Sequence, residues 1–192
     1  MGDELNYCMC CGENVPATSI ERDGRSELNC LLCGFTLAIS TTAPEARRAV
    51  PCIIAVDAVD AHRSALQGLL ERSGLAEEIV ALHGGPAFVS AIAHRFADGL
   101  PVDMVILDVE MPAMDGITAA RFLRTLEKKL HRAPCALIFF TGRKADDNLR
   151  RQMTLFRPVW YCAKGVGVDQ AAFERRATAL IAHIATVLAA PA

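Results

Sequence analysis

From Cys52 onward the chain repeats one pattern: a short run of branched apolar residues, a turn, then a longer amphipathic stretch. Strand-like "CIIAV", "EIVAL", "VDMVIL", "CALIFF" and "VWYCA" alternate with helix-like segments at 60–73, 86–98, 116–130, 145–155 and 169–190. Runs so apolar must be buried on both faces, which a parallel sheet covered by helices provides. Five strands alternating with five helices predict an α/β fold, a doubly wound five-stranded parallel sheet with right-handed crossovers. The last segment is the clearest helix. Phe173, Ala177, Leu180, Ile181, Ile184, Val187 and Leu188 make one apolar stripe, with Glu174, Arg175 and Arg176 on other faces.

The alternation does not reach the amino terminus. Before about residue 42, charged residues, Gly and Cys mix with few long apolar runs, and Pro44 and Pro51 bracket a linker. The expected division is a small module over 1–41, a linker over 42–50 and an α/β domain over 51–192. A hydrophobic content of 52% against 22% charged supports a sizeable core. A net charge of -2 gives no reason to expect nucleic acid or an anionic membrane as partner. Asp3 and Glu4 stand where a secretory leader would be basic. The apolar tail "ATALIAHIATVLAAPA" is too short to span a bilayer and carries His183, so the expected setting is the cytoplasm, with no membrane partner.

Polar residues close four of the five strands. Asp57 follows "CIIAV", Asp108 follows "VDMVIL", Thr141 follows "CALIFF" and Lys164 follows "VWYCA". A carboxylate at the end of a buried strand is costly unless something pairs with it. In open α/β sheets the carboxyl ends of the strands form the ligand-binding edge, so these four residues are expected to meet in one crevice.

With "AVDAVD", "ILDVEMPAMDG", "FFTG" and "AKG" in this order, the segment from about 51 to 190 resembles the response-regulator receiver family, the phospho-accepting half of two-component signalling. The resemblance implies a flavodoxin-like strand order, Asp108 as phosphoacceptor, and Mg²⁺ held by Asp57, Asp108 and the backbone carbonyl of Glu110. It implies further that Thr141 and Lys164 contact the phosphoryl group and that Tyr161 switches rotamer together with Thr141. The implied partners are a histidine kinase or phosphotransfer protein upstream and a protein target downstream. That target would meet the face made by the fourth helix, fifth strand and fifth helix, through which a homodimer could also form. No enzymatic turnover beyond self-phosphorylation and autodephosphorylation is expected.

Three positions depart from the family's pattern. Asp57 is followed by Ala58 where a second acid is usual, so Mg²⁺ affinity is expected to fall, by about tenfold or more. Gly165 follows the lysine in place of a common proline, loosening the loop to the last helix, and Gly142 leaves the site open. The alternative reading is a phosphorylation-independent pseudo-receiver acting as an adaptor.

Five of the eight cysteines crowd into the first 33 residues. Cys8 and Cys11 form Cys-x-x-Cys before Gly12, and Cys30 and Cys33 form another before Gly34, with 18 residues between the pairs. Each pair can place two thiolates at one knuckle, and four thiolates make a closed, structural zinc site. The segment resembles zinc-ribbon modules, in which Zn²⁺ supplies the folding energy that so small a core lacks. Cys10 could exchange with Cys8 or Cys11, although only the latter two give the x-x interval. A redox dithiol is the chief rival. Through residue 44, six acids (Asp3, Glu4, Glu13, Glu21, Asp23 and Glu27) face only Arg22 and Arg25, so protein docking is expected of this module and nucleic-acid binding is not. Cys52, Cys135 and Cys162, single and set in apolar runs, are expected to be core thiols.

Overall fold

The computed structural model describes residues 6–8, 11–22, 25–32, 35–40, 49–165 and 167–189. Strands β6 (Val50–Val56), β7 (Ala76–Leu82), β8 (Met104–Leu107), β9 (Ala136–Thr141) and β10 (Val159–Ala163) form one parallel sheet in the order β10-β9-β8-β6-β7. This is the flavodoxin-like doubly wound arrangement expected from the sequence. The order reverses between β6 and β8, and the crevice at their carboxyl ends is the fold's natural binding point.

Helices α1 (Asp60–Ser73) and α5 (Gln170–Ala189) cover one face of the sheet, burying Leu66, Leu70, Phe173, Ala177, Leu180 and Ile184 against Ile53, Ile106 and Phe140. Helices α2 (Gly85–Ala97), α3 (Gly116–Lys129) and α4 (Asp147–Met153) cover the other, with Phe88, Ile92, Leu123 and Leu149 against Ile54, Leu107 and Phe139. Alternate residues of β6 therefore feed opposite cores, as the two-residue period of a strand requires. The three expected core thiols are buried, and burial pushes the pKa of Cys52 up to about 11 and that of Cys135 up to about 12.

Local departures from the sequence reading have simple causes. The 145–155 segment divides into α4 and a single 3₁₀ turn at Thr154–Phe156, with Asp146 capping the helix through the Leu149 N–H at 2.7 Å. Asp60 stands inside the first turn of α1, beside Arg63. The preceding residue, Val59, has its N–H bound by the Asp57 carboxylate at 2.9 Å.

Toward the amino terminus, β1 (Asn6–Cys8) and β2 (Glu13–Val15) pair as an antiparallel hairpin. Strands β3 (Ala17–Arg22), β4 (Arg25–Cys30) and β5 (Thr36–Ser40) form an antiparallel meander. Cys8, Val15 and Cys30 make its small core, joined by Phe35 and Leu37. The module rests on α5: the Phe35 ring lies 4.6 Å from the His183 ring, and the Arg176 guanidinium lies 5.7 Å from the Tyr7 ring centre.

Candidate functional site

Ladder hydrogen bonds carry the sheet's register into its carboxyl edge. The Asp57 N–H donates to the Leu82 carbonyl, that of Asp108 to Val56, and that of Lys164 to Thr141, at 3.0, 3.0 and 2.8 Å. Three functional groups from three strand ends are thus fixed by backbone, not by loop packing. Gly116 completes the bend after β8. A Cβ there would stand 2.0 Å from the Asp108 carbonyl oxygen, so any larger residue would push the loop off the strand end.

The side chains converge. Lys164 Nζ donates to Asp57 Oδ2 at 2.6 Å and to Asp108 Oδ2 at 2.7 Å, with all three residues buried. The remaining carboxylate oxygens accept backbone N–H bonds, Asp57 Oδ1 from Val59 at 2.9 Å and Asp108 Oδ1 from Glu110 at 3.2 Å. Every ionised oxygen has a partner, which is what allows two carboxylates to be buried side by side. Two acids against one ammonium leave a net charge of about -1, and carboxylate oxygens can accept more than one partner, so the pocket fits a divalent cation. Asp57 and Asp108 are the carboxylates brought together there, and Ala58 adds no further acid.

Thr141 is fully buried at the end of β9, where its Oγ1 accepts the Arg143 N–H at 3.3 Å. It lies beside Ala163 in the register, one residue from Lys164. Tyr161 is buried on β10, and its hydroxyl donates to the Arg143 carbonyl. The Thr141–Gly142–Arg143 turn is therefore tied to the side chain of Tyr161. Gly142 is not simply open, because a Cβ there would come 3.2 Å from the Gly165 carbonyl. Gly165 has φ of +83°, a conformation that suits glycine.

One residue at the site carried no signal in the sequence. His62, on the first turn of α1, stacks on Phe173 with ring centres 4.1 Å apart, and its Nδ1 is 3.8 Å from Asp57 Oδ2. Burial lowers its pKa, against the opposing pull of the Asp57 charge. A histidine on a helix is commonplace, and only the fold brings it to the acids.

At the other end of the chain, the Sγ atoms of Cys8, Cys11 and Cys30 all lie within 4.8 Å of one another, with Cys11 and Cys30 at 3.8 Å. Tetrahedral zinc with Zn–S near 2.3 Å sets sulfurs about 3.8 Å apart. The Cys11 N–H donates to Cys8 Sγ at 3.4 Å and the Leu32 N–H to Cys30 Sγ at 3.3 Å, the knuckle pattern that supports thiolate charge. Gly12, at φ of +76°, turns the first knuckle. Cys33 and Cys10 lie outside the described residues.

The chain is 32% identical over 100 residues to the Sensor protein GacS of Pseudomonas syringae pv. syringae, a match spanning 52% of this chain and 10% of that protein. It thus covers about a tenth of the length of the curated relatives it matches. The response regulator receiver domain from Rhodospirillum rubrum superposes with a TM-score of 0.57 at 19% identity, covering 70% of this chain and 94% of that one. The receiver domain of the histidine kinase CKI1 from Arabidopsis thaliana, complexed with Mg²⁺, gives 0.54 at 22% identity, covering 63% and 88%. These likenesses establish the fold. The family model for the response regulator receiver domain matches residues 53–156, more than half of the sequence and the stretch that holds both Asp57 and Asp108, and the chain belongs to that family.

Proposed function

We propose that this protein accepts a phosphoryl group on Asp108 from a histidine kinase or phosphotransfer protein. The observation that carries the proposal is the position of Lys164, whose ammonium spans Asp57 and Asp108 at 2.6 and 2.7 Å. An Asp108 oxygen attacks phosphorus, the bond from phosphorus to the donor breaks, and the donor leaves with that electron pair. Lys164 then offsets charge on the transferred group, and the Thr141 hydroxyl is the neighbouring donor. A divalent cation at Asp57, Asp108 and the Glu110 carbonyl would neutralise phosphoryl oxygens as well. The Mg²⁺ complexed by the CKI1 receiver supports this choice of ion.

Phosphorylation places about two negative charges beside Lys164 and competes with Asp57 for its ammonium. Thr141 and Lys164 move toward the phosphoryl group, the 141–143 turn follows, and Tyr161 responds through its bond to Arg143. The face of α4, β10 and α5 changes its populated packing, and a downstream protein reads the change. The amino-terminal module is a structural zinc ribbon held by Cys8, Cys11, Cys30 and Cys33, and it serves as a protein-docking element. Among the described residues no helix is long and apolar enough to cross a membrane. The thiolate knuckles suit the reducing cytoplasm.

Ala58 favours a second reading, a pseudo-receiver adaptor that binds partners without accepting phosphate. Intact-mass analysis of native protein incubated with acetyl phosphate and Mg²⁺ separates the two. A single phosphoryl adduct, absent in Asp108→Asn, supports the first. No adduct at a cation concentration that demonstrably saturates the site gives the adaptor. The native spectrum also reports zinc.

A further inference from the structure

The chain's charge is strongly polarised. Residues 116–157 hold ten of its 20 Lys and Arg but only three of its 22 Asp and Glu. None of the three acids pairs with the exposed cations of α3. Glu127 is buried against Arg124, Asp146 caps α4 and pairs with Arg143, and Asp147 lies in the first turn of α4. The exposed cations of α3 are left unneutralised. Among the described residues Arg121, Lys128 and Lys129 have no carboxylate within ion-pair distance.

These cations rim a groove of about 700 Å³ between α3 and the 154–156 turn, whose apolar side is Leu155 and Phe156. Arg121, Thr125 and Lys128 recur at helical spacing and form one wall. The groove is built rather than incidental. The Arg124 guanidinium, only 13% exposed, donates to the carbonyls of Cys135, Phe156 and Pro158 at 2.9, 2.9 and 3.1 Å, pinning the turn to the helix. Leu155 stands in it 69% exposed, more than any other large apolar residue described. Helix α3 runs back from the Asp108 loop, so the groove lies toward the opposite edge of the sheet.

We propose that this groove docks an acidic amphipathic helix of a partner protein. Carboxylates of such a helix meet Arg121, Lys128 and Lys129, and its apolar stripe covers Leu155, the helix-in-groove mode with charge setting specificity. A nucleic-acid backbone would satisfy the same cations but leave Leu155 in water. The chain's net charge of -2 averages over this face, where the cations are gathered. The proposal is independent of phosphoryl transfer.

The test uses the full chain and fluorescence anisotropy of a labelled synthetic peptide about four helical turns long, rich in Glu with Leu at every third or fourth position. Its comparators are a scrambled peptide of identical composition and a single-stranded oligonucleotide of equal charge. The expected result is saturable binding of the patterned peptide, at least about tenfold tighter than the scrambled one and weakened about tenfold by Lys128→Glu with Lys129→Glu. Leu155→Ser, at an exposed position that does not threaten folding, weakens the patterned peptide and leaves the scrambled one unchanged. Equal binding of both peptides, or none, overturns the proposal. So does an oligonucleotide that outcompetes the peptide with Leu155→Ser without effect, which makes the face a nucleic-acid surface. Concentration-dependent dimerisation lost on Lys128→Glu, without peptide binding, gives the groove to a second copy of the chain and overturns it as well.

Discussion

Lys164 holds its ammonium 2.7 Å from the Asp108 carboxylate, and the same nitrogen reaches Asp57 at 2.6 Å, so one cation keeps two buried acids apart. Lys164→Met removes it and leaves both carboxylates facing each other in a pocket where Lys164 itself is 3% exposed. Breaking a buried ion pair by removing one partner costs about 3–5 kcal/mol. Urea unfolding of the variant at neutral pH should show a loss of that order. Saturating Mg²⁺ should return part of it, and return more than it adds to the parent, because the ion replaces the missing charge. Equal stability of parent and variant would mean that the acids do not depend on the ammonium.

Ala58→Asp supplies a second acid directly after Asp57. An added carboxylate raises the charge that a divalent ion meets, and the expected gain in Mg²⁺ affinity is about tenfold or more. Isothermal titration with Mg²⁺ measures it. The initial rate of adduct formation with acetyl phosphate should rise in parallel when Mg²⁺ is limiting. A variant that binds Mg²⁺ more tightly with no change in that rate would place the limitation outside the metal site.

The strand ends were legible because burial and punctuation coincide there. Each of Asp57, Asp108 and Lys164 terminates an apolar run, and Gly116 follows the second where a Cβ would stand 2.0 Å from the Asp108 carbonyl oxygen. The knuckle spacing was legible for the same reason, since Cys-x-x-Cys followed by Gly is a local pattern and the sulfurs of Cys8 and Cys11 meet within it. What escaped was set by tertiary contact. His62 reads as a surface helix residue until α5 places Phe173 against it. Arg124 and Glu127 read as one more charged pair on a solvated helix face, yet Glu127 is 2% exposed. The basic groove needs two elements well separated in sequence, α3 and the 154–156 turn, to be seen as one surface.

The Arg124 and Glu127 pair offers its own measurement. Glu127 Oε1 accepts the Cys135 N–H at 2.8 Å while Oε2 takes the Arg124 guanidinium at 2.7 Å, so the carboxylate joins α3 to the start of β9. Glu127→Ala strands both donors and should cost about 3 kcal/mol or more. For a chain of this length that lowers Tm by roughly 6–12 °C in a thermal melt. A double variant, Arg124→Met with Glu127→Leu, should recover part of the loss because it leaves no buried charge unpaired. A Tm of Glu127→Ala within a degree of the parent would show the pair to be dispensable.

Zinc removal should be felt beyond the cysteines. The knuckle at Cys8 and Cys11 carries Tyr7, whose ring faces Arg176 on α5, and Arg176 in turn donates to the Ala163 carbonyl at 3.2 Å, beside Lys164. Treatment with a strong chelator is expected to release one zinc per chain and to melt the antiparallel strands, a loss visible by far-ultraviolet circular dichroism. The parallel-sheet domain should stay folded, since among the described residues its two cores are built within 50–188 with only Phe35 contributed from outside. Cys30→Ser should reproduce the chelated spectrum without chelator. Chelation that leaves the antiparallel signal intact would show that the three sulfurs do not need an ion to stay together.

His183 gives the fold a dependence on pH with a definite sign. The imidazole is buried on α5 beneath Phe35, and burial pushes its pKa down from 6.5 to about 4. The unfolded chain therefore binds a proton in a range where the folded chain refuses it. Stability from this residue is complete above about pH 6.5 and falls as pH drops toward 4, because unfolding takes up the proton throughout that interval. At 1.36 kcal/mol per pKa unit the loss is about 2 kcal/mol between pH 7 and pH 5. His183→Gln keeps a polar side chain but cannot titrate. Unfolding free energies of parent and variant measured at several pH values should converge on acidification, with the slope of the parent the steeper. Parallel curves over that interval would mean that the imidazole titrates as it does in water and that the contact between α5 and the amino-terminal module is open to solvent.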